Sequence, residues 1–306
     1  MALSDLLAQL DVVACDAGDV KGTGLAGCPF DWDRIETVEF SAKSFRYSDA
    51  QDLDYIKEQQ QLGNLVIVKG YESFTQNTPD PNVNTVEGSG FKQVTGEMPT
   101  EFTGVLNNGV VNWKALRTLN GKDNYNVAFY DVGGNKIFTR TKGGEVKGFG
   151  LKMLFTGTYK GKEGNNPSMQ TQLMQFSDLL EMERMVYITS NQLDFDPSDL
   201  DGANDVNIVI DPIAVGATTL TFKPTLLDRT HLVEGLTLAN VLVKKDDVVV
   251  TPSGLTYANG KVALTIAATS AGVYTVDLAS STLANSIAIN IGGVLYKSDI
   301  ASVIVS

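Results

Sequence analysis

The sequence predicts a mainly β chain built as two domains, and three observations carry that expectation. The charge is unevenly divided. The chain has a formal net charge of −12, yet within residues 212–306 six basic side chains (Lys223, Arg229, Lys244, Lys245, Lys261, Lys297) balance six acidic ones (Asp228, Glu234, Asp246, Asp247, Asp277, Asp299). Composition shifts at the same place: Trp32, Trp113, Cys15 and Cys28 all lie in the first part, while the last part is rich in Val, Thr, Ala and Ser. Finally, apolar and polar residues alternate through most segments, and the clearest helical periodicity covers only residues 49–62. The expected architecture is an acidic β-sandwich or barrel-like body with one or two short helices over residues 1–211, then a neutral β-sandwich over residues 212–306. With 43 % apolar content, each domain can bury its own core.

In chain order, residues 4–10 place Leu6, Leu7 and Leu10 on one helical face, and glycines 18, 22, 24 and 27 then read as a loop or mobile arm. Residues 35–40 (IETVEF) alternate as a half-buried strand should. The helix over 49–62 has capping-box spacing at Ser48 and Gln51 and a C-terminal Gly63. Residues 65–68 (LVIV) form a short buried strand, and 111–119 a second helix presenting Trp113 and Leu116. Between them, residues 75–104 form a long polar stretch with three prolines, expected to be a loop or an arm that orders against a neighbouring subunit. Residues 125–131 and 136–140 pair as a hairpin across Gly133-Gly134-Asn135. A longer hairpin spans 145–176 around the glycine-rich loop 161–166, with Leu151, Met153 and Phe155 alternating with Lys152, Leu154 and Thr156. Residues 178–189 fit either a helix or a helix turning into a strand.

The last domain contains about seven short β-runs in 95 residues, at 219–222, 241–244, 248–250, 262–266, 274–278, 286–291 and 302–305, separated by turn signals such as Asn259-Gly260. That spacing predicts an immunoglobulin-like sandwich, of the kind without a Cys…Trp…Cys core.

Several functions are disfavoured by residue type. A net charge of −12 argues against direct nucleic-acid binding, which depends on neutralising phosphates. No run of about 18 apolar residues is present to span a membrane. The N-terminal segment has no basic flank, so synthesis in the cytoplasm is expected. Cys15 and Cys28 do not form a disulfide framework, and His231 is too distant in sequence to complete a zinc site with them. No nucleophile elbow, zincin helix or Walker loop occurs, and Gly88-Ser89-Gly90 and Gly148-Phe149-Gly150 are lone glycine pairs. No catalytic residue or cofactor is expected. Asp194, Asp196, Asp199 and Asp201 could offer oxygen ligands to calcium, but Asp199 occupies the sixth position where an EF-hand needs glycine. The expectation is therefore an acidic linker, with an irregular calcium site as the alternative.

An acidic β-rich body, one central helix at 49–62, a polar arm at 75–104 and a long hairpin at 145–176 together resemble the tail tube proteins of tailed-bacteriophage virions. The appended sandwich resembles the immunoglobulin-like domains found on phage capsid and tail proteins. The resemblance implies a homo-oligomeric ring, usually a hexamer, whose hairpins line an inner β-barrel and whose rings stack through arms and loops. The partners it implies are further copies of the chain and other virion proteins; DNA passes without specific binding, no membrane is involved, and the location is the virion. The lumen and assembly residues would be Lys152, Leu154, Thr156, Gln170, Gln172 and Met174 or the opposite hairpin face, with Pro79, Pro81 and Phe91 on the arm. Alternatives are a capsid or capsid-decoration protein, a surface carbohydrate- or protein-binding module, or an enzyme using buried carboxylates. A shell protein normally has a long spine helix, which no segment here predicts.

Overall fold

The computed structural model describes residues 34–306 apart from 78, 86–90, 97, 165–166, 183 and 228. The expected helix at 4–10, the early glycines, both cysteines, Trp32 and Gly88-Ser89-Gly90 lie outside the described residues. The chain divides into two units, one of residues 1–56 and 65–200, the other of residues 57–64 and 201–306.

In the first unit the elements are β1 (Ile35–Ala42), α1 (Leu53–Gln61), β2 (Leu65–Lys69), β3 (Tyr71–Gln76), β4 (Asn82–Thr85), β5 (Lys92–Gly96), β6 (Glu101–Leu106), α2 (Gly109–Thr118), β7 (Gly121–Lys122), β8 (Tyr125–Asp131), β9 (Lys136–Arg140), β10 (Val146–Lys147), β11 (Phe149–Thr156), β12 (Gln170–Phe176) and β13 (Met185–Ile188). Their pairings close on themselves. β1 pairs antiparallel with β8 on one edge and β2 on the other. Gly70, at φ +84°, bends the chain from β2 into β3, a turn that suits a residue without Cβ. β3 pairs with β6, β6 with β12, β12 with β11, and β11 returns to β8. The result is a small closed barrel, which removes most of the exposed edges an open sheet would carry.

Its interior is aromatic. Phe149 and Phe176 stack with centroids 4.8 Å apart, and Phe102 and Phe129 pack beside them with Val38, Phe40, Leu106 and Met174. A second core forms on the outer face of β1, β8 and β9, where Tyr47, Ile56, Tyr130, Phe138, Ile188 and Phe195 pack together. β8 consequently sends Val127 and Phe129 into one core and Ala128 and Tyr130 into the other. β1 is likewise buried on both faces, so the half-buried strand expected at 35–40 needs correcting: Thr37, Glu39 and Ser41 are the polar members of a covered face.

Several local expectations change. α1 begins at Leu53 because Asp52 accepts from the Tyr55 amide at 2.7 Å and Asp194 from the Leu53 amide at 3.0 Å; Ser48 and Gln51 do not form the cap. The stretch 75–104 is a long hairpin, with β3 paired to β6 and β4 to β5. Its prolines fall between paired segments, where no ladder amide is required, and so punctuate the hairpin without breaking it. Residues 178–189 contain a 3-10 turn (Leu179–Glu181), capped by Asp178, followed by strand β13.

Gly148 and Gly150 have packing roles, not phosphate-loop roles. A Cβ on Gly148 would lie 2.8–2.9 Å from the Val127 backbone C, O and N, and one on Gly150 would lie 2.6 Å from Ser177 Oγ. Gly148→Ala has no rotamer with which to escape and must move β8 or β11. A loss of about 1–3 kcal/mol is expected in urea unfolding, by analogy with overpacked cores. A wild-type midpoint would rule out this close approach.

The second unit contains β14 (Asn204–Ile210), β15 (Thr219–Leu226), β16 (Val241–Lys245), β17 (Val248–Val250), β18 (Gly254–Ala258), β19 (Lys261–Thr265), β20 (Gly272–Leu278), β21 (Ile289–Ile291), β22 (Val294–Ser298) and β23 (Ala301–Val305). One sheet runs β18-β19-β15-β14 and the other β17-β16-β20-β23. Labelled A to G in chain order, these are the D-E-B-A and C′-C-F-G sheets of an immunoglobulin-like sandwich. A hairpin, β21–β22, is inserted between F and G and adds to the A strand through a parallel pairing. Leu220, Phe222, Val243, Val262, Leu264, Val276 and Leu278 fill the core. Strand A begins eight residues before the expected domain start at 212, so that boundary is corrected to about Asp201.

Candidate assembly surfaces

β12 pairs with β6 on its far side, and β11 pairs with β7 and β8 on its own far side, so neither strand of the β11–β12 hairpin is an edge. A register shift between Leu151 and Met153 turns the β11 side chains over. Leu151 and Leu154 therefore both point inward, while Lys152 and Phe155 are exposed and Met153 is half-buried. This corrects the lumen residues expected from simple alternation. Leu154, Thr156, Gln170, Gln172 and Met174 are all buried within the unit. Gln172 Nε2 donates to Thr156 Oγ1 at 3.2 Å, and Tyr71 donates its hydroxyl to Gln172. Of the expected hairpin set only Lys152 reaches the surface, where its ammonium lies 2.6 Å from Asp123, which also takes Lys43 at 2.9 Å.

The outward face of the sheet β11-β12-β6-β3 is the opposite one. One row across it reads Phe155, Leu173, Thr103 and Thr75, and the next reads Met153, Gln175 and Glu101. Gln175 Nε2 donates to Glu101 at 2.6 Å. Phe155 is 51 % exposed on this largely hydroxyl- and amide-bearing surface.

The arm carries the other expected residues to the surface: Pro79 and Pro81 are exposed, and Phe91 is 74 % exposed. Among the described residues β3 pairs with β6 alone, and β4 and β5 pair only with each other, so the outer edges of this arm carry no ladder partner. The expectation of a loop or an arm for this stretch left the edge unassigned, because only Val and Thr in NVNT and KQVTG favour strand. The loop joining β11 to β12 is pinned at its base, where Trp113 Nε1 donates to the Gly157 carbonyl at 2.8 Å and the Trp113 and Tyr159 rings meet at 5.9 Å.

Two of the aspartates at 194–201, Asp194 and Asp196, serve as caps. Asp194 holds the start of α1, and Asp196 Oδ1 accepts from the Ser198 amide at 2.8 Å, a bond that holds its carboxyl below the usual carboxylate range. Asp199 and Asp201 are exposed. Among the described residues no three His, Cys, Asp or Glu side chains converge, so the irregular calcium reading is withdrawn. A cavity of 810 Å³ beside them is lined by Glu36, Lys69, Asp131, Ser190, Asp194 and Asp196. Two of its charged groups are committed to the fold: Asp131 accepts from the Asn135 amide and side chain at 2.9–3.2 Å, and Lys69 Nζ reaches the Ser198 carbonyl at 2.5 Å. His231 sits exposed on the turn after β15, its Nδ1 3.2 Å from Thr230 Oγ1.

The most deeply buried cluster of ionisable side chains was not legible in the sequence. Glu39, Tyr47, Tyr130 and Lys136 form a sealed cluster in the second core, with Glu39 Oε2 3.1 Å from Lys136 Nζ and 2.8 Å from Tyr130 OH. Tyr47 also donates to Glu39, and the ammonium lies 4.4 Å from the Tyr47 ring centre. Burial lowers the Lys136 pKa and raises those of both tyrosines. Because Glu39 and Lys136 have no exposed side-chain surface, the cluster meets no ligand and acts within the fold.

The fold and these surfaces define a class: a two-unit, mainly β chain with a barrel-like body, a long hairpin arm and an immunoglobulin-like sandwich. No protein-family model matches the chain, and no curated protein matches its sequence. Among the described residues no helix is long and apolar enough to cross a membrane.

Proposed function

We propose that the protein is a virion structural subunit that self-associates side by side into stacked rings, as phage tail tube proteins do. The arm of residues 71–106 carries this reading. The barrel closes without help from a neighbour, yet the chain extends two of its strands into a projecting hairpin with open outer edges and exposed apolar side chains at Val83 and Phe91. Open strand edges recruit further strands, and in a closed ring each edge is satisfied by the next copy. The outer face of β11-β12-β6-β3, where hydroxyl and amide groups surround Glu101 and Phe155, adjoins that edge and suits either a subunit contact or a channel wall. Net negative charge, which this reading concentrates on the body, repels DNA phosphates and favours passage over sticking. A capsid shell role fits less well, because the two described α-helices have only nine and ten residues.

Negative-stain electron microscopy and sedimentation velocity across concentration test the proposal. Wild-type protein is expected to form rings or hollow rods of uniform width. A variant with residues 78–98 replaced by a short Asn-Gly turn is expected to stay monomeric with an unchanged unfolding midpoint. Shells would favour the capsid reading, and a wild-type monomer at high concentration would favour a binding module. Rods from the shortened variant would remove the arm from assembly.

A further inference from the structure

We infer that the sandwich unit carries a binding site for an anionic polysaccharide, a chain of polyols bearing carboxylate or phosphodiester groups. The site is a 420 Å³ concavity on the outer face of the D-E-B-A sheet, within the range of small-ligand sites, about 300–1,000 Å³. It is independent of the arm and of the proposed ring.

Three cations converge there with one carboxylate. The β15·β19 ladder runs to Phe222 opposite Val262, so its next step sets Lys223 opposite Lys261 on one face. Like charges directly opposed across a strand pair are unfavourable without a counter-charge. Asp211 supplies one for Lys261 alone, with its two oxygens 2.8 and 2.7 Å from Nζ. Lys223 and Arg229 make no ion pair among the described residues and complete the lining from two sides. Arg229 is held there at a conformational cost. It adopts φ +60° in a turn closed by its amide to the Leu226 carbonyl at 2.8 Å and by the Leu226 amide to the His231 carbonyl at 2.9 Å. A non-glycine residue kept in that region points to a constraint worth more than the strain.

The rest of the wall is Asn207, the buried Thr225 and the exposed Val209, whose apolar side chain suits the C–H face of a polyol. Asn207 lies opposite Thr225 in the β14·β15 register, and both face the concavity. The half-buried Asn207 amide can donate to and accept from sugar hydroxyls, while Lys223 and the planar Arg229 guanidinium take an oxyanion. A chain with net charge −12 repels anionic polymers at long range, so affinity at this face must come from the local cluster.

The test is calorimetric titration of the full-length protein with a galacturonate oligomer, a glycerol-phosphate oligomer and neutral dextran. Saturable binding of at least one anionic oligomer is expected, weakening as salt is raised, with none for dextran. Binding of one oligomer alone identifies carboxylate or phosphodiester as the recognised group. Lys223→Ala with Arg229→Ala is expected to weaken binding at least about tenfold, the worth of losing charge-assisted bonds. Both side chains are exposed, so the unfolding midpoint is expected to stay unchanged. Lys297→Ala, an exposed cation outside the concavity, is expected to leave affinity intact. The inference is overturned if neither anionic oligomer binds saturably, if the double variant binds like wild type, or if Lys297→Ala weakens binding equally.

Discussion

Glu39→Ala is expected to lower folding stability by about 3–5 kcal/mol, the range for breaking a buried ion pair from one side. The carboxylate sits between three donors in a sealed core: Lys136 Nζ at 3.1 Å, Tyr130 OH at 2.8 Å, and Tyr47 OH. Removing it leaves an ammonium with no anion and only the faces of Tyr47 and Tyr130 at 4.4 and 5.1 Å. Cation–π contact offsets about 2 kcal/mol at most, so Lys136 must shed its proton or draw in water. Both tyrosine hydroxyls also lose their acceptor, at about 1–3 kcal/mol for each buried donor left unmade. Glu39→Gln keeps an acceptor for the hydroxyls and loses only the charge, so a smaller loss is expected. Glu39→Leu combined with Lys136→Met removes both ions, yet it recovers only part of the loss because the hydroxyls stay orphaned. Adding Tyr47→Phe and Tyr130→Phe is expected to return stability to near wild type. Urea unfolding of the series, read as a coupling cycle, separates these contributions. A loss below about 1 kcal/mol for Glu39→Ala would mean the cluster is already hydrated.

That cluster also marks where the sequence stops being readable. Glu39 and Lys136 are 97 residues apart, and nothing local to either forecasts the other. IETVEF alternates as a half-exposed strand would, but a second core covers its polar face, so alternation reported the pleat correctly and solvent exposure wrongly. The hairpin at 125–140 was legible because its turn is local: Gly134 takes φ +78° and Asp131 binds the Asn135 amide. The 149–176 hairpin was legible as a pairing but not in its facing, because one bulge between Leu151 and Met153 reverses every later side chain in β11. This is why Leu154 and Thr156 proved internal, while Met153 and Phe155 look outward. Gly148 looked like a phosphate-loop fragment because the Val127 backbone that explains it lies on another strand. Strand A was hidden by its acidic flanks, although Val206, Ile208, Val209 and Ile210 are ordinary β residues.

Stability is expected to fall steeply above about pH 10, because three buried tyrosines keep their protons in the folded chain. Burial raises the hydroxyl pKa of Tyr47, Tyr71 and Tyr130, and the Glu39 charge raises Tyr47 and Tyr130 further. In the unfolded chain each releases its proton near pH 10. Above that pH the folded state binds more protons than the unfolded one, so the stabilisation is complete below about pH 10 and is lost as pH rises toward the folded values. Each such group contributes a slope of up to about 1.4 kcal/mol per pH unit, and three together about 4. Lys136 acts in the opposite sense. Its lowered pKa means the unfolded chain binds the extra proton between the folded value and about 10.4, so stability rises with pH across that window and levels off beyond it. The predicted profile is therefore a shallow rise followed by a steep alkaline fall. Urea midpoints from about pH 8 to pH 11.5, followed alongside tyrosinate absorbance, test it. Of the ten tyrosines, these three are expected to ionise only together with unfolding. Tyr71→Phe removes one ionisable group while leaving the Glu39 cluster intact, and is expected to reduce the alkaline slope by about a third. Reversible ionisation of all ten near pH 10, with the fold retained, would show that both cores of the first unit admit water.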